Sequence, residues 1–142
     1  SIRRQRQMCI RDRDNGSTPL STAGFHGETE IVKLLLKRGA DISRANNDGN
    51  TPLHVAAFLC RTDIVKIYLQ KGASVTTKNR RGESSMDVVS QPWNDGLRRF
   101  YKSLSEGSNL DLDIEKIKST RPQILKILRS HTNKDKLQAL SK

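Results

Sequence analysis

The sequence superimposes on itself when shifted by 33 residues. Gly16, Gly49 and Gly82 then coincide, as do Thr18 and Thr51, Pro19 and Pro52, and Leu20 and Leu53. The agreement continues through Ile31 and Ile64, Val32 and Val65, Leu36 and Leu69, Gly39 and Gly72, and Ala40 and Ala73. A fixed period of this length marks a stacked-repeat architecture, because a unit so short buries its apolar side only against a neighbour.

The clearest copy begins Asn47-Asp48-Gly49-Asn50-Thr51-Pro52-Leu53-His54-Val55-Ala56-Ala57. Thr51 can cap a helix, and Pro52 has its dihedral preset and lacks only an N–H that would be unpaired there. Leu53, Ala56 and Ala57 give that helix a face of small apolar groups. Ile64, Val65, Tyr68 and Leu69 form the buried stripe of a second helix, which Gly72 ends in a left-handed turn. Asn47-Asp48-Gly49 suits the tip of a tight hairpin.

These letters resemble the ankyrin repeat, whose pattern runs D-x-x-G-x-T-P-L-H-x-A-A and closes with L-L-x-x-G-A-D. The match is specific over residues 14–79 and partial to about Ser90. It implies an all-α ankyrin-repeat solenoid of helix-turn-helix units with hairpin loops, closed by a C-terminal helical cap. Repeats are expected at 14–45 and 46–78, with a partial one at 79–104, a cap at 105–131 and a tail at 132–142. The first repeat, with helices predicted near Thr18–Phe25 and Thr29–Lys37, is the weaker copy: Ser21 stands where the family has His, and Gly24 where it often has Ala. Its upstream apolar face is expected to lie open. In the resemblance His54 ties a helix start to its neighbours, a structural rather than catalytic role.

Residues 1–13 read differently. Arg3 to Asp12 match an in-frame translation of a common transposase sequencing adaptor, CGT CGG CAG CGT CAG ATG TGT ATA AGA GAC, and the repeat register begins just after this stretch. The segment is therefore taken as non-native, with the natural protein continuing upstream; the alternative is a natural basic arm. Setting aside its five Arg and one Asp lowers the formal charge from +11 to +7. Basic and acidic side chains then intermingle along the helices, and aromatics are 4% of the chain, too few for a base-stacking platform. A solvated basic surface is the plainer reading, and nucleic-acid binding is disfavoured.

Outside the adaptor-like stretch Cys60 is the single cysteine, at the position of Gly27 in the preceding copy, so it reads as a turn residue. No apolar run approaches a membrane span. His26, His54 and His131 show no metal-ligand spacing, and no nucleophile motif or phosphate loop is present. Neither an enzyme nor a cofactor is expected.

Beyond Val89 the repeat pattern breaks. Ser85 replaces the helix-starting Pro, Asp87 replaces His, and Pro92 is predicted to stop the helix early. Trp93, Leu97, Phe100, Tyr101 and Leu104 then fall on one face of an amphipathic helix with Arg98, Arg99 and Lys102 opposite. It reads as a lid over the last repeat or, alternatively, as an exposed partner helix. After a Gly/Ser turn at 105–108, Asp111 is predicted to cap a short helix carrying Ile114 and Ile117. Thr120-Arg121-Pro122-Gln123 is predicted to open another, with Ile124, Leu125, Ile127 and Leu128 buried. This tract resembles the helical tails of some bacterial ankyrin proteins. Residues from Thr132 onward are expected to form a frayed helix or disordered tail.

The resemblance implies that binding uses a concave groove of hairpin tips and first-helix ends. In the best repeat these positions are Asn47, Asp48, Asn50, Phe58 and Leu59; in the next, Lys78, Arg80, Arg81 and Glu83; in the first, Asp14, Asn15, Ser17, Phe25 and His26. Phe25, Phe58 and Leu59 are either apolar anchors for a partner or packing between adjacent helices. The function implied is a monomeric protein-interaction module binding a protein partner. Two alternatives stay open: a regulatory or targeting appendage of an enzyme encoded upstream, and a binder of nucleic acid or anionic surfaces through Arg80, Arg81, Arg98 and Arg99.

Overall fold

The computed structural model describes residues 16–140, apart from the side chains of 134–139. The adaptor-like stretch, with Asp14 and Asn15, lies outside the described residues. Among these residues the chain is helical with no strand: α1 Pro19–Phe25, α2 Thr29–Lys37, α3 Pro52–Phe58, α4 Thr62–Gln70, α5 Ser85–Ser90, α6 Asp95–Gly107 and α7 Ile114–Leu140.

The short helices start on hydroxyl caps. Thr18 accepts from the Ser21 amide at 3.1 Å, Thr51 from His54 at 3.4 Å and Ser84 from Asp87 at 3.3 Å. Each cap satisfies an amide that the helix leaves unpaired. Asp87, standing where the second copy has His54, answers with its carboxylate on the Ser84 amide at 2.8 Å, completing a capping box. Gln91 turns extended ahead of Pro92, so α5 stops after six residues.

Packing arranges the helices in two rows. The first is α1, α3 and α5, each against the next; the second begins with α2 and α4, each against its own first-row partner. Leu20, Ala23, Val32, Leu53, Ala56, Val65 and Tyr68 are all 1% exposed or less, and the last donates its hydroxyl to the Leu20 carbonyl at 3.1 Å. The cap departs from expectation. Instead of two helices split at Thr120, α7 is one helix of 27 residues with Pro122 inside it. Asp113, rather than Asp111, takes the Lys116 amide at its start, and the Thr120 hydroxyl donates back to the Lys116 carbonyl at 2.6 Å. Ile117, Arg121, Ile124 and Leu128 fall at i, i+4, i+7 and i+11 and are each 5% exposed or less. One continuous buried stripe thus outweighs the roughly 3 kcal/mol that an interior proline costs. The backbone stays helical to Leu140.

Arg121 to Leu128 pack on α5 and α4 as α4 packs on α3 and α2. The sequences agree: Arg61-Thr62-Asp63-Ile64-Val65-Lys66-Ile67 lines up with Arg121-Pro122-Gln123-Ile124-Leu125-Lys126-Ile127. This part of α7 therefore occupies the second-row place of the third unit, and α6 belongs to an insertion between that unit's two helices. α6 is not a lid over the array's end. It lies across the C-terminal ends of the first-row helices, where Tyr101 donates to the Phe58 carbonyl and stacks on the Phe58 ring at 4.6 Å. At the other end of the array Ile31 is 40% and Leu34 is 45% exposed, whereas Ile64, the counterpart of Ile31, is 2% exposed.

Gly49 and Gly72 separate two demands on glycine. Both are left-handed, at φ 79° and 88°, but a Cβ on Gly49 would stand 2.8 Å from the Arg80 amide nitrogen while one on Gly72 meets nothing within 4 Å. Gly72→Ala should therefore lose only the left-handed penalty, about 1 kcal/mol, and Gly49→Ala about 2–3 kcal/mol as one loop is pushed off the next. Urea denaturation of both variants checks the order.

Candidate functional site: a two-walled trough

The loops between units carry the first wall. Asn46 Oδ1 accepts the amides of Asp48 at 2.9 Å and Asn50 at 3.0 Å; one unit on, Asn79 Oδ1 accepts those of Arg81 at 2.9 Å and Glu83 at 3.0 Å. Each asparagine folds its loop into the same compact tip. The two tips are joined by the Arg80 amide on the Asp48 carbonyl at 3.0 Å and by Asn79 Nδ2 on Asn50 Oδ1 at 2.9 Å.

His54 ties the tips to the first row. Its Nδ1 accepts the Thr51 amide at 3.1 Å, and Nε2 lies 2.9 Å from the Glu83 carbonyl of the next loop. This geometry assigns the neutral Nε2–H tautomer. Burial, the largest influence, holds the imidazole below its usual pKa although the Glu83 carbonyl and the Glu83 and Asp87 charges oppose it. Protonation would place a second N–H against the Thr51 amide.

The first row is the floor and α6 the second wall. Between them runs an open trough of about 870 Å³. Ser21, Thr22 and Val55 face it from α1 and α3, and Leu97, Phe100 and Leu104 from α6. Phe58 joins floor to wall, stacked on Tyr101 and 5.7 Å edge-on from Phe100. Tyr101 is fully buried, and its phenol, desolvated by that burial, is pushed up to about 12. Arg121, 3% exposed, donates to Tyr101 Oη at 2.9 Å, to the Val88 carbonyl at 3.3 Å and to the Gln91 carbonyl at 3.1 Å. That hub fixes α6 to the third unit.

Most of the sequence-predicted positions come together here. Ser17, Phe25 and His26 line the trough from the first unit, Asp48, Asn50 and Phe58 from the second, and Arg80, Arg81 and Glu83 from the third. Asn47 and Lys78 do not line it, although both are exposed. Leu59 reaches the trough edge but is only 3% exposed, packed with Tyr101 and Ile117. The α6–α7 tract covers it, so its apolar surface is spent inside the chain. The residues missed are those of α6, above all Phe100, which is 55% exposed. Its signal was the amphipathic spacing already noted: Phe100 sits at the edge of that face, and the edge opens into the trough.

Cys60 keeps the left-handed turn at φ 56° that Gly27 makes at 72°. Burial pushes its thiol up to about 11 despite Arg121 and Arg61 nearby, a poor setting for a thiolate nucleophile. Among the described residues no group of three or more His, Cys, Asp or Glu side chains converges as metal ligands would, and no described helix is long and apolar enough to cross a membrane.

Two-row stacking of short helix pairs, joined by loop tips that wall a trough, defines a helical-repeat solenoid. The family described as Ankyrin repeats (3 copies) matches residues 3–79, more than half of the 142, and the chain belongs to that family. Ankyrin repeats are in general protein–protein interaction modules and a non-enzymatic fold. No curated protein matches the chain.

Two expectations follow from the geometry. Because the folded-state pKa of His54 lies below 6.5, its contribution is complete above pH 6.5. As pH falls through that value the unfolded chain takes up a proton that the folded chain refuses. The melting temperature should drop from pH 7 toward pH 5, and less so in a His54→Gln variant, which starts lower. Phe58→Ala, removing the ring on which Tyr101 stacks, should lower unfolding free energy by about 3 kcal/mol in urea.

Proposed function

We propose that this chain is a monomeric, non-enzymatic interaction module that receives a segment of a protein partner in the trough between the loop tips and α6. The observation that carries this reading is the convergence of the half-buried Phe25 and the exposed Phe100 with polar loop-tip groups on one concave surface. Concave sites that mix aromatic anchors with a few directed polar groups are where binding energy concentrates. The rim supplies orientation: Asn50 and Glu83 are already fixed by Asn79, so little side-chain freedom is lost when a partner docks.

A photo-crosslinking amino acid at Asn50, in the trough, or at Lys66, on the opposite row, tests this in extracts of cells that express the chain. Discrete adducts should form from the Asn50 position and not from Lys66. Equal labelling from both, or labelling from Lys66 alone, would move the interface elsewhere.

A further inference from the structure

Resting on that reading, we infer that α6 makes the trough selective for an amphipathic acidic segment, with Phe100 as an anchor for the segment's apolar side chains and Arg80 and Arg81 as receivers of its carboxylates. Phe100 is the one aromatic of α6 left open. Tyr101 is fully buried, whereas Phe100 is 55% exposed and touches Phe58 edge-on. A large ring held from one side on a fixed helix, with its other side in solvent, gains most from a second apolar surface.

The opposite wall carries two arginines and two carboxylates, of which Glu83 is engaged. The Glu83 carboxylate takes Arg81 Nε at 3.3 Å, Asn79 Nδ2 at 3.3 Å and Gln91 Nε2 at 3.1 Å, leaving its side chain 22% exposed. Arg81 keeps its remaining donors in solvent, with its side chain 76% exposed. Arg80 is exposed, and among the described residues its side chain makes no hydrogen bond or ion pair. Among the described residues the other trough carboxylate, Asp48, has no side-chain hydrogen bond or ion pair, and the formal charges of this wall balance. The wall's free donors still outnumber its free acceptors, since Arg80 offers its whole guanidinium and Arg81 all but the Nε bonded to Glu83, and guanidinium forks bind carboxylates in pairs. An occupant that satisfies both walls is apolar along one edge and acidic along the other. Insertions in repeat arrays commonly fall on the binding side, and α6 is such an insertion.

A random linear-peptide library displayed on phage and selected on the purified chain supplies the probe. Selected peptides should combine large apolar residues with Asp or Glu. Their affinity, measured by fluorescence anisotropy, should fall about tenfold or more with Phe100→Ala and with the Arg80→Ala/Arg81→Ala pair. It should weaken as salt rises, and Lys66→Ala should leave it unchanged. Circular dichroism and melting confirm that each variant is folded. Peptides without acidic bias, insensitive to the arginine pair but weakened by Thr22→Trp in the floor, would overturn the acidic partner and leave the trough standing. Peptides indifferent to every trough variant would overturn both readings, and failure to enrich any peptide would overturn the linear acidic segment.

Discussion

Every helix pair in this chain has apolar surface on two sides, and a single pair can cover only one of them with its own atoms. The second side must be met by the neighbouring pair, which is why Val32, Val65, Tyr68, Ile124 and Leu128 belong to one continuous core although they come from three successive units. Stability in such an array is a sum of nearest-neighbour interfaces. The third unit shows how strict the requirement is. Its first helix, α5, has six residues and its chain then leaves for the insertion, yet a second-row helix returns from Arg121 onward to close Val88 and Val89.

The insertion is held by an arginine whose position the array already uses. Arg61 reaches the Phe25 carbonyl at 3.0 Å, at the end of α1, and its counterpart Arg121 reaches the Val88 and Gln91 carbonyls at the end of α5. In both, a guanidinium meets the unpaired carbonyls at a helix C-terminus, where the backbone dipoles favour positive charge. Arg121 adds Tyr101 Oη to that set and so binds α6 to the core. Its buried charge faces neutral oxygens alone, an arrangement that needs every one of them, since a buried cation is tolerated only while its donors are satisfied.

The repeats were legible because one residue type does one task at each recurring position. Thr18 and Thr51 cap, Pro19 and Pro52 open, Gly39 and Gly72 close, and α1 and α2 fall at or within one residue of the expected bounds. The C-terminal tract was less legible because its local signals compete with packing. Thr120 and Pro122 have the form of a helix start, but the stripe from Ile117 to Leu128 runs through them. The likeness of Arg121–Ile127 to Arg61–Ile67 breaks the 33-residue period, and the insertion hides it. The register locates the two loop tips, but which of their side chains stay free depends on Asn79 and Gln91, and partner choice of that kind is set in three dimensions.

Phe58 and Leu59 illustrate the consequence. By register they end a first-row helix and point toward the concave side, where a bare array would offer both to a partner. Tyr101 stacks on one and helps bury the other, so this apolar surface is converted from interface into foundation. The exposed aromatic surface moves one layer outward, to Phe100, on a helix that the repeat pattern does not encode. A rigid array thus keeps its loop-tip wall in place while the insertion rebuilds the facing wall, which lets what the trough recognises change without disturbing how the repeats stack. Since the second wall is tied to the second unit through Tyr101 on Phe58 and to the third through Arg121 on Tyr101, changes in α6 that spare Tyr101 act on recognition with little effect on the core.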